Sequence, residues 1–326
     1  MIKKKIDLSD QITIEEINKV YENNFESIIY EFVNFEVEWL HNAYSQYKDI
    51  DKYIILIKLI HKTLSTYKEN FYKMNFEQFY NSPHIEIEKI SIIDLVKELN
   101  ISKETVRRKL NELSKAKVVI RNLKKIKITH VSSNPKLERN VYNLSKLIYI
   151  FIKNLQSDDK LSRITRKELE KIILKNYTQY WNLFFSFQIP YILRWKKIFK
   201  SSENFYIFAL CSFNEVINFK KLKIDKDNIF SNVDQLHEEI TDVQKKTKGL
   251  NPTTISEISG IPRATIIRKI NYLTKNYFLR KSKKSNLYYL NNEKSSKSFV
   301  LQGKMFKENQ KALRSFMREI INLIKN

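Results

Sequence analysis

The sequence predicts a mainly α-helical protein with small β-hairpins, built from two copies of one module. Of the 326 residues only 3 are Gly and 5 are Pro, although tight β-turns use both heavily. From residue 14 to residue 47, apolar side chains recur at the three-to-four-residue spacing of a helix with one buried face. The third observation is an internal repeat, in which residues 100–115 align without a gap to residues 260–275.

The repeat has the letters NISKETVRRKLNELSK in its first copy and GIPRATIIRKINYLTK in its second. Thr105 aligns with Thr265, and Arg108 aligns with Arg268. Weaker similarity continues upstream and downstream in the same order. The repeat therefore predicts modules over about 12–156 and 162–326, a domain division into 1–156 and 157–326, and a linker at 156–159.

Each module is expected to contain flanking long helices, a pair of short helices and a hairpin. The elements expected in the first module are one or two helices over 14–47, helices over 51–68, 91–99 and 103–116, strands over 118–121 and 127–129, and a helix over 137–155. No element is predicted between about 69 and 88. Those expected in the second are helices over 253–259 and 263–276, strands over 278–281 and 287–290, and a helix over 307–325.

A short helix, a tight turn, a second helix and a basic hairpin form a winged helix-turn-helix. The two helix-turn-helix segments are expected at about 91–116 and 253–276, and their wings at 118–130 and 278–290. The second helix of such a unit must bury one face and present hydrogen-bonding groups on the other, which enters the major groove. The fold class predicted is thus two tandem winged helix-turn-helix modules with flanking long helices.

The candidate DNA-binding residues lie on the outward face of the second helix and in the wing. Arg can bond bidentately to guanine and Asn to adenine, and lysines of a wing can meet phosphates. Those of the recognition helices are Ser102, Lys103, Thr105, Arg107, Arg108, Asn111, Arg263, Thr265, Ile267, Arg268 and Asn271, and those of the wings are Lys124, Lys125, Lys127, Lys281, Lys283 and Lys284. Ser102 is also placed to cap its helix, whereas Pro262 at the matching position offers no capping oxygen.

The net charge of +23 is concentrated on these two units. Residues 100–130 hold ten Lys or Arg and two Glu, and residues 260–290 hold eight Lys or Arg and no acid, so each has a net charge of +8. Residues 11–50 carry −6. This distribution predicts double-stranded DNA as the partner and disfavours a membrane surface, which would need one long basic amphipathic face. RNA stays open as a partner, although the aromatic residues lie in apolar stripes typical of a core.

Nothing in the sequence predicts an enzyme, a metal site or a cofactor. The five histidines are scattered and have no metal-ligand spacing with Cys or carboxylates, and phosphate-cradling glycine loops are absent. Cys211 lies in an apolar run and is expected to be a buried free thiol. No apolar run approaches the roughly 20 residues of a membrane span. We therefore expect a cytoplasmic, nucleoid-associated protein.

The segment Ile101-Ser102-Lys103-Glu104-Thr105-Val106-Arg107-Arg108 resembles bacterial winged-helix transcription regulators, and the order of the helices around it resembles the MarR family. In that family, helices outside the motif form a dimer interface. The resemblance implies a fused pseudo-dimer, acting as a monomer or pairing again as a homodimer. No residue marks a pocket for a small-molecule effector, so an effector stays unidentified.

The two recognition helices are not identical, since Glu104 aligns with Ala264 and Arg107 with Ile267. A sequence-specific transcription regulator with such heads should recognise an imperfect, non-palindromic site. Two alternatives remain open from the residues alone. A replication initiator of plasmid or phage type also carries two winged helices, and an architectural DNA-binding protein would show little sequence preference.

Overall fold

The computed structural model describes residues 11–82, 84–88, 91–121, 125–129, 135–158, 160–222 and 244–325. The chain is mainly α-helical with few strands, which confirms this part of the predicted fold class. The elements of the first half are α1 (Ile14–Asn23), α2 (Phe25–Tyr47), α3 (Ile50–Glu69), α4 (Phe76–Asn81), β1 (His84–Glu88), α5 (Ile92–Leu99), α6 (Lys103–Lys115), β2 (Val119–Arg121), β3 (Lys125–Thr129) and α7 (Pro135–Ser157). Those of the second are α8 (Arg166–Lys175), α9 (Tyr177–Phe199), α10 (Ser202–Leu222), α11 (Pro252–Ser259), α12 (Arg263–Lys275), β4 (Leu279–Lys281), β5 (Tyr288–Leu290) and α13 (Lys297–Lys325).

Helices α1 and α2 share their local start and end signals with α8 and α9. Thr13 and Thr165 each form a capping box with the glutamate three residues later, which satisfies two orphan N–H groups at the helix start. Helices α2 and α9 each contain 23 residues and end at a lysine with a left-handed backbone, Lys48 and Lys200. These signals give α1 and α8 the same length of 10 residues, and α2 and α9 the same length of 23 residues.

The two halves share one hydrophobic core and interlock through these helices. Helix α3 packs against α9 and α10 against α2, while α1 contacts α13 and α7 contacts α8. At the centre, the buried Gln188 donates a 2.8 Å hydrogen bond to the buried Glu36, a residue 152 positions earlier. The amide and the carboxyl therefore satisfy part of each other's hydrogen-bonding capacity inside the core.

The aromatic rings around this hydrogen bond meet in reciprocal pairs. Phe32 contacts Phe187 with ring centroids 6.1 Å apart, and Phe35 contacts Phe184 at 5.5 Å. The separation of 152 residues that relates Glu36 to Gln188 also relates Phe32 to Phe184 and Phe35 to Phe187. Phe32 thus contacts the counterpart of Phe35, and Phe35 contacts the counterpart of Phe32. Such reciprocal contacts are the pattern of a two-fold interface.

The region before residue 88, for which no element was predicted, contains two. Asn75 caps α4 in a capping box with Gln78, and β1 follows. Strand β1 pairs antiparallel with β3 in a sheet of order β1-β3-β2. The alternation in HIEIE was the available signal, because a half-buried strand has a period of two.

Other element boundaries also differ from the predicted ones. Helix α7 extends to Ser157, so Gln156 and Ser157 are helical and the prediction of a linker was wrong for them. The Gln156 amide donates to the carbonyl oxygens of Ser162 and Ile164 at 2.7 and 3.2 Å, which holds the connection to α8 against the helix. Helix α13 begins at Lys297, well before the predicted start at residue 307.

Cys211 is buried with a free thiol in α10, as predicted, and burial raises its pKa well above the ordinary value. Among the described residues, no helix is long and apolar enough to cross a membrane. The same part of the chain holds no group of three or more metal-ligating side chains.

Candidate nucleic-acid interface

A tight turn joins α5 to α6 because the residues between the two helices favour helix ends. Helix α5 ends at Asn100, whose φ of 49° is left-handed, a conformation that Asn tolerates. The buried Ile101 follows, and the hydroxyl of Ser102 accepts the backbone N–H of Thr105 at 3.3 Å. This side-chain cap starts α6 at Lys103, as predicted from the sequence.

Substituting Ser102 by Ala should lower the free energy of unfolding by about 1 kcal/mol, because the cap is lost. Chemical denaturation of the full chain measures this. The matched control is Pro262→Ala at the start of α12, where no side-chain cap exists to be lost. An equal loss of stability in both variants would contradict the assigned role of the Ser102 hydroxyl.

Helix α6 buries one face and leaves the predicted contact residues on the other. Val106, Leu110 and Leu113 are at most 1% exposed. Thr105 is half-buried, and the other predicted residues on this helix and at its cap are exposed, namely Ser102, Lys103, Arg107, Arg108 and Asn111. The helix thus presents two guanidinium groups, an ammonium and an amide on one open face.

Arg108 is oriented by its own helix. Its guanidinium lies 3.2 Å from the carboxylate of Glu112, and 59% of the side chain stays exposed. Glu112 in turn accepts from Lys52 of α3 at 2.8 Å, and this ammonium holds the pKa of Glu112 below its ordinary value. Arg108 is therefore positioned for an external acceptor without being enclosed.

Lys109 anchors α6 to the body, a role that the sequence did not reveal. Its side chain is 9% exposed and its ammonium pairs with Asp49, the N-cap residue of α3. Asp49 also accepts the backbone N–H of Lys52 at 3.0 Å. The pair of Lys109 with Asp49 therefore connects the buried side of α6 to the N-terminus of α3.

The first hairpin lies beside an acidic strand. Lys125 and Lys127 belong to β3, while Lys124 lies outside the described residues. In the antiparallel register, Lys127 is opposite Glu86 and Lys125 is opposite Glu88 of β1. The net charge counted over residues 100–130 leaves out β1. When the two glutamates of β1 are included, the net charge of the first unit is lower than that count.

Helices α11 and α12 have the same lengths as α5 and α6, 8 and 13 residues. Gly260 takes the place of Asn100 with a φ of 70°, and Pro262 makes no side-chain cap, as its chemistry requires. Thr265 and Ile267 are half-buried, whereas the remaining predicted residues of this helix and hairpin are exposed, namely Arg263, Arg268, Asn271, Lys281, Lys283 and Lys284.

Lys269 corresponds to Lys109 and is also held on the inner side of its helix. Its ammonium contacts the hydroxyl of Ser201 at 3.0 Å and the carboxylate of Glu203 at 3.3 Å, both at the start of α10. Although burial raises the pKa of Glu203, bonds from Ser201 and Lys269 hold it below the ordinary value. The two lysines thus link each exposed helix to the N-terminus of a core helix.

The second hairpin is fixed to α10 by a buried carboxyl. Glu215 is 2% exposed, and its Oε1 accepts from the backbone N–H of Leu290 at 3.1 Å and from Gln244 at 2.9 Å. Gln244 also accepts from Arg280 of β4. Burial raises the pKa of Glu215 to about 7. This network holds β4 and β5, and with them the lysines that follow β4, against the core.

Residues 86–128 match the DeoR-like helix-turn-helix domain, a span that runs from β1 through α5, α6 and β2 into β3. No curated protein and no solved structure matches the chain. The domain match supports a DNA-binding transcription regulator of winged helix-turn-helix type, with DNA as its partner. It falls on the segment that carries Ser102 through Asn111.

Proposed function

We propose that the chain is a sequence-specific transcription regulator that binds one double-stranded DNA site with two non-identical winged helix-turn-helix units. The first unit is the matched domain, and the second comprises α11, α12, β4 and β5. Equal helix lengths, a left-handed residue at each turn, and exposed arginine and asparagine side chains at matching positions of α6 and α12 support the second unit. The protein acts by binding and not as an enzyme.

The arrangement proposed for the two units is a fused pseudo-dimer, with an order of helices similar to the MarR family. The reciprocal ring contacts between α2 and α9 and the Gln188–Glu36 hydrogen bond support it. Helices packed into one core hold the two heads at a fixed spacing. Two such heads address half-sites about one helical turn, roughly 10 bp, apart.

The two heads differ where they meet bases. Arg107 is exposed on α6, while Ile267 at the matching position of α12 is half-buried and cannot donate a hydrogen bond to guanine. Glu104 of α6 is matched by Ala264, so the first head also carries an acid that the second lacks. We infer that the two half-sites differ in sequence and that the protein binds in one orientation.

Selection of binding sites from random DNA by the full chain tests this proposal. We expect an enriched site with two different half-sites in a fixed relative orientation, since the two faces offer different donors. A perfect palindrome would contradict the asymmetry, and the absence of any enriched sequence would contradict specific recognition in favour of an architectural protein. Mapping the selected site to promoters or to clustered repeats at an origin then separates regulator from initiator.

A further inference from the structure

An open groove of about 590 Å³ lies where the C-terminal end of α12 meets the first turns of α13. Its apolar lining includes the half-buried Ile198 and Tyr272 and the exposed Tyr277 and Leu301. Tyr277 is 60% exposed and Leu301 is 42% exposed. Large apolar residues that gather at one concave place with a polar rim mark an interaction surface, whereas singly scattered ones do not.

The backbone of Tyr277 is fixed although its side chain is largely exposed. The residue follows the end of α12 with a left-handed φ of 59°, which is uncommon for a bulky side chain. Its carbonyl oxygen accepts hydrogen bonds from the buried side chains of Asn291 and Ser298 at 2.9 and 2.8 Å. A large ring on a fixed backbone loses little freedom on binding, which suits it to anchor a partner.

The corresponding surface of the first half is polar. The lining residues Ile198, Tyr272 and Tyr277 are replaced there by Gln46, Glu112 and Lys117. Lys117 has the same left-handed backbone as Tyr277, with a φ of 56°. The turn therefore forms without an aromatic residue, and the exposed ring at position 277 is a feature of the second half alone.

The first turns of α13 are also particular to the second half. When the buried Leu144 of α7 is aligned with the buried Leu313 of α13, Pro135 at the start of α7 falls opposite Lys304. Residues 297–303, about two helical turns, therefore have no counterpart in α7. This added segment forms one wall of the groove.

The rim of the groove is basic. The charged residues that line it are all exposed, namely Lys200, Lys275, Lys297 and Glu293. Among the described residues, the three lysines form no ion pair, so their charges are available to an external partner. A net positive rim around an apolar floor fits a partner that carries both carboxylates and apolar side chains. A DNA backbone would contact the lysines but would gain nothing from the exposed Leu301.

We propose that this groove docks an acidic amphipathic helix of a partner protein. Its apolar side chains pack against Tyr277 and Leu301, and its carboxylates pair with the lysines of the rim. An amphipathic helix in an apolar groove is anchored by side chains three and four residues apart. The groove lies about 18 Å along α12 from Arg263 at the start of that helix. The inference therefore concerns a different surface from the DNA contacts and holds whether or not α12 binds DNA.

Selection from a displayed library of random peptides about three helical turns (~12 residues) long, with the full chain as bait, tests the proposal. We expect enriched peptides that combine Asp or Glu with leucine or aromatic residues at helical spacing. The affinity of a fluorescein-labelled synthetic copy of the most enriched peptide is then measured by anisotropy. No enrichment, or enriched peptides without acidic residues, would overturn the proposal.

Two variants locate the peptide site. Tyr277→Asn introduces a residue that tolerates the left-handed backbone, and Leu301→Ala keeps a high helix propensity, so neither change disturbs the fold. Each should weaken binding of the labelled peptide by about tenfold or more, because each removes an apolar anchor. The control Tyr72→Asn changes another tyrosine, 52% exposed and outside the groove, and should leave the affinity unchanged. Equal peptide affinity in Tyr277→Asn and the wild type would overturn the assignment.

The same labelled peptide distinguishes two other occupants of the groove. We expect it to stay bound when the chain is saturated with duplex DNA, whereas its displacement would show that the groove belongs to a DNA-binding surface. Sedimentation of the chain without peptide tests for a second copy. Self-association of the wild type that is lost in Tyr277→Asn would show that another copy covers the groove. Either of these two results would overturn the proposal.

Discussion

The double substitution of Arg108 and Arg268 by alanine is expected to remove most of the specific DNA affinity of the full chain. Both guanidinium groups are exposed at matching positions of α6 and α12, and each can contact a base or a phosphate. Each such contact is worth about 1–3 kcal/mol, so each substitution should weaken binding by about fivefold to a hundredfold. Fluorescence anisotropy with the selected DNA site measures the loss.

The matched control removes two exposed lysines from helices outside the proposed heads, Lys153 of α7 and Lys311 of α13. This variant loses the same net charge and should retain most of its affinity. If the arginine variant bound the selected site as tightly as the wild type, α6 and α12 would not be the recognition helices. If both variants lost affinity equally, net charge alone would explain binding.

Substituting Lys109 by Ala should destabilise the protein by about 2–3 kcal/mol. Removal of one partner of a buried ion pair leaves the other charge uncompensated, which costs about 3–5 kcal/mol at fully buried sites. The loss is smaller here because Asp49 is 17% exposed and keeps its bond to the Lys52 amide. Chemical denaturation with a secondary-structure probe measures this change.

The same measurement on variants of two other lysines distinguishes the loss of a buried ion pair from the loss of a positive charge alone. Lys269→Ala should destabilise the protein less than Lys109→Ala, because its partner Glu203 has a more exposed side chain, 26% against 17% for Asp49. The exposed Lys103→Ala should lie within about 0.5 kcal/mol of the wild type. A Lys109 variant as stable as the Lys103 variant would show that the pair with Asp49 contributes nothing.

The features that depend on local order along the chain were predictable from the sequence. The spacing of Val106, Leu110 and Leu113 fixed the buried face of α6, and therefore the exposed face that carries Arg107, Arg108 and Asn111. The cap at Ser102 and the alignment of residues 100–115 with 260–275 are local as well. Strand β1 was missed even though its alternation is local, because the surrounding polar residues obscured it.

The features that depend on contacts between distant residues were not predictable. The ion pair of Lys109 with Asp49 joins α6 to α3, and the whole fold sets the distance between these two helices. A cavity lined by residues of α2, α9, α10 and α13, among them Glu36 and Ala209, likewise depends on how these helices pack against one another. Periodicity identifies these residues as inward-facing, but it does not show which neighbour each one meets.

Joint binding of one DNA site by two heads held on one core is tested most directly by changing the spacing of the half-sites. An insertion of about half a helical turn (~5 bp) turns the second half-site to the opposite face of the DNA. We predict that the affinity of the full chain for the inserted site falls to that of a DNA carrying the first half-site alone. An affinity unchanged by the insertion would contradict the claim and leave the first head acting by itself.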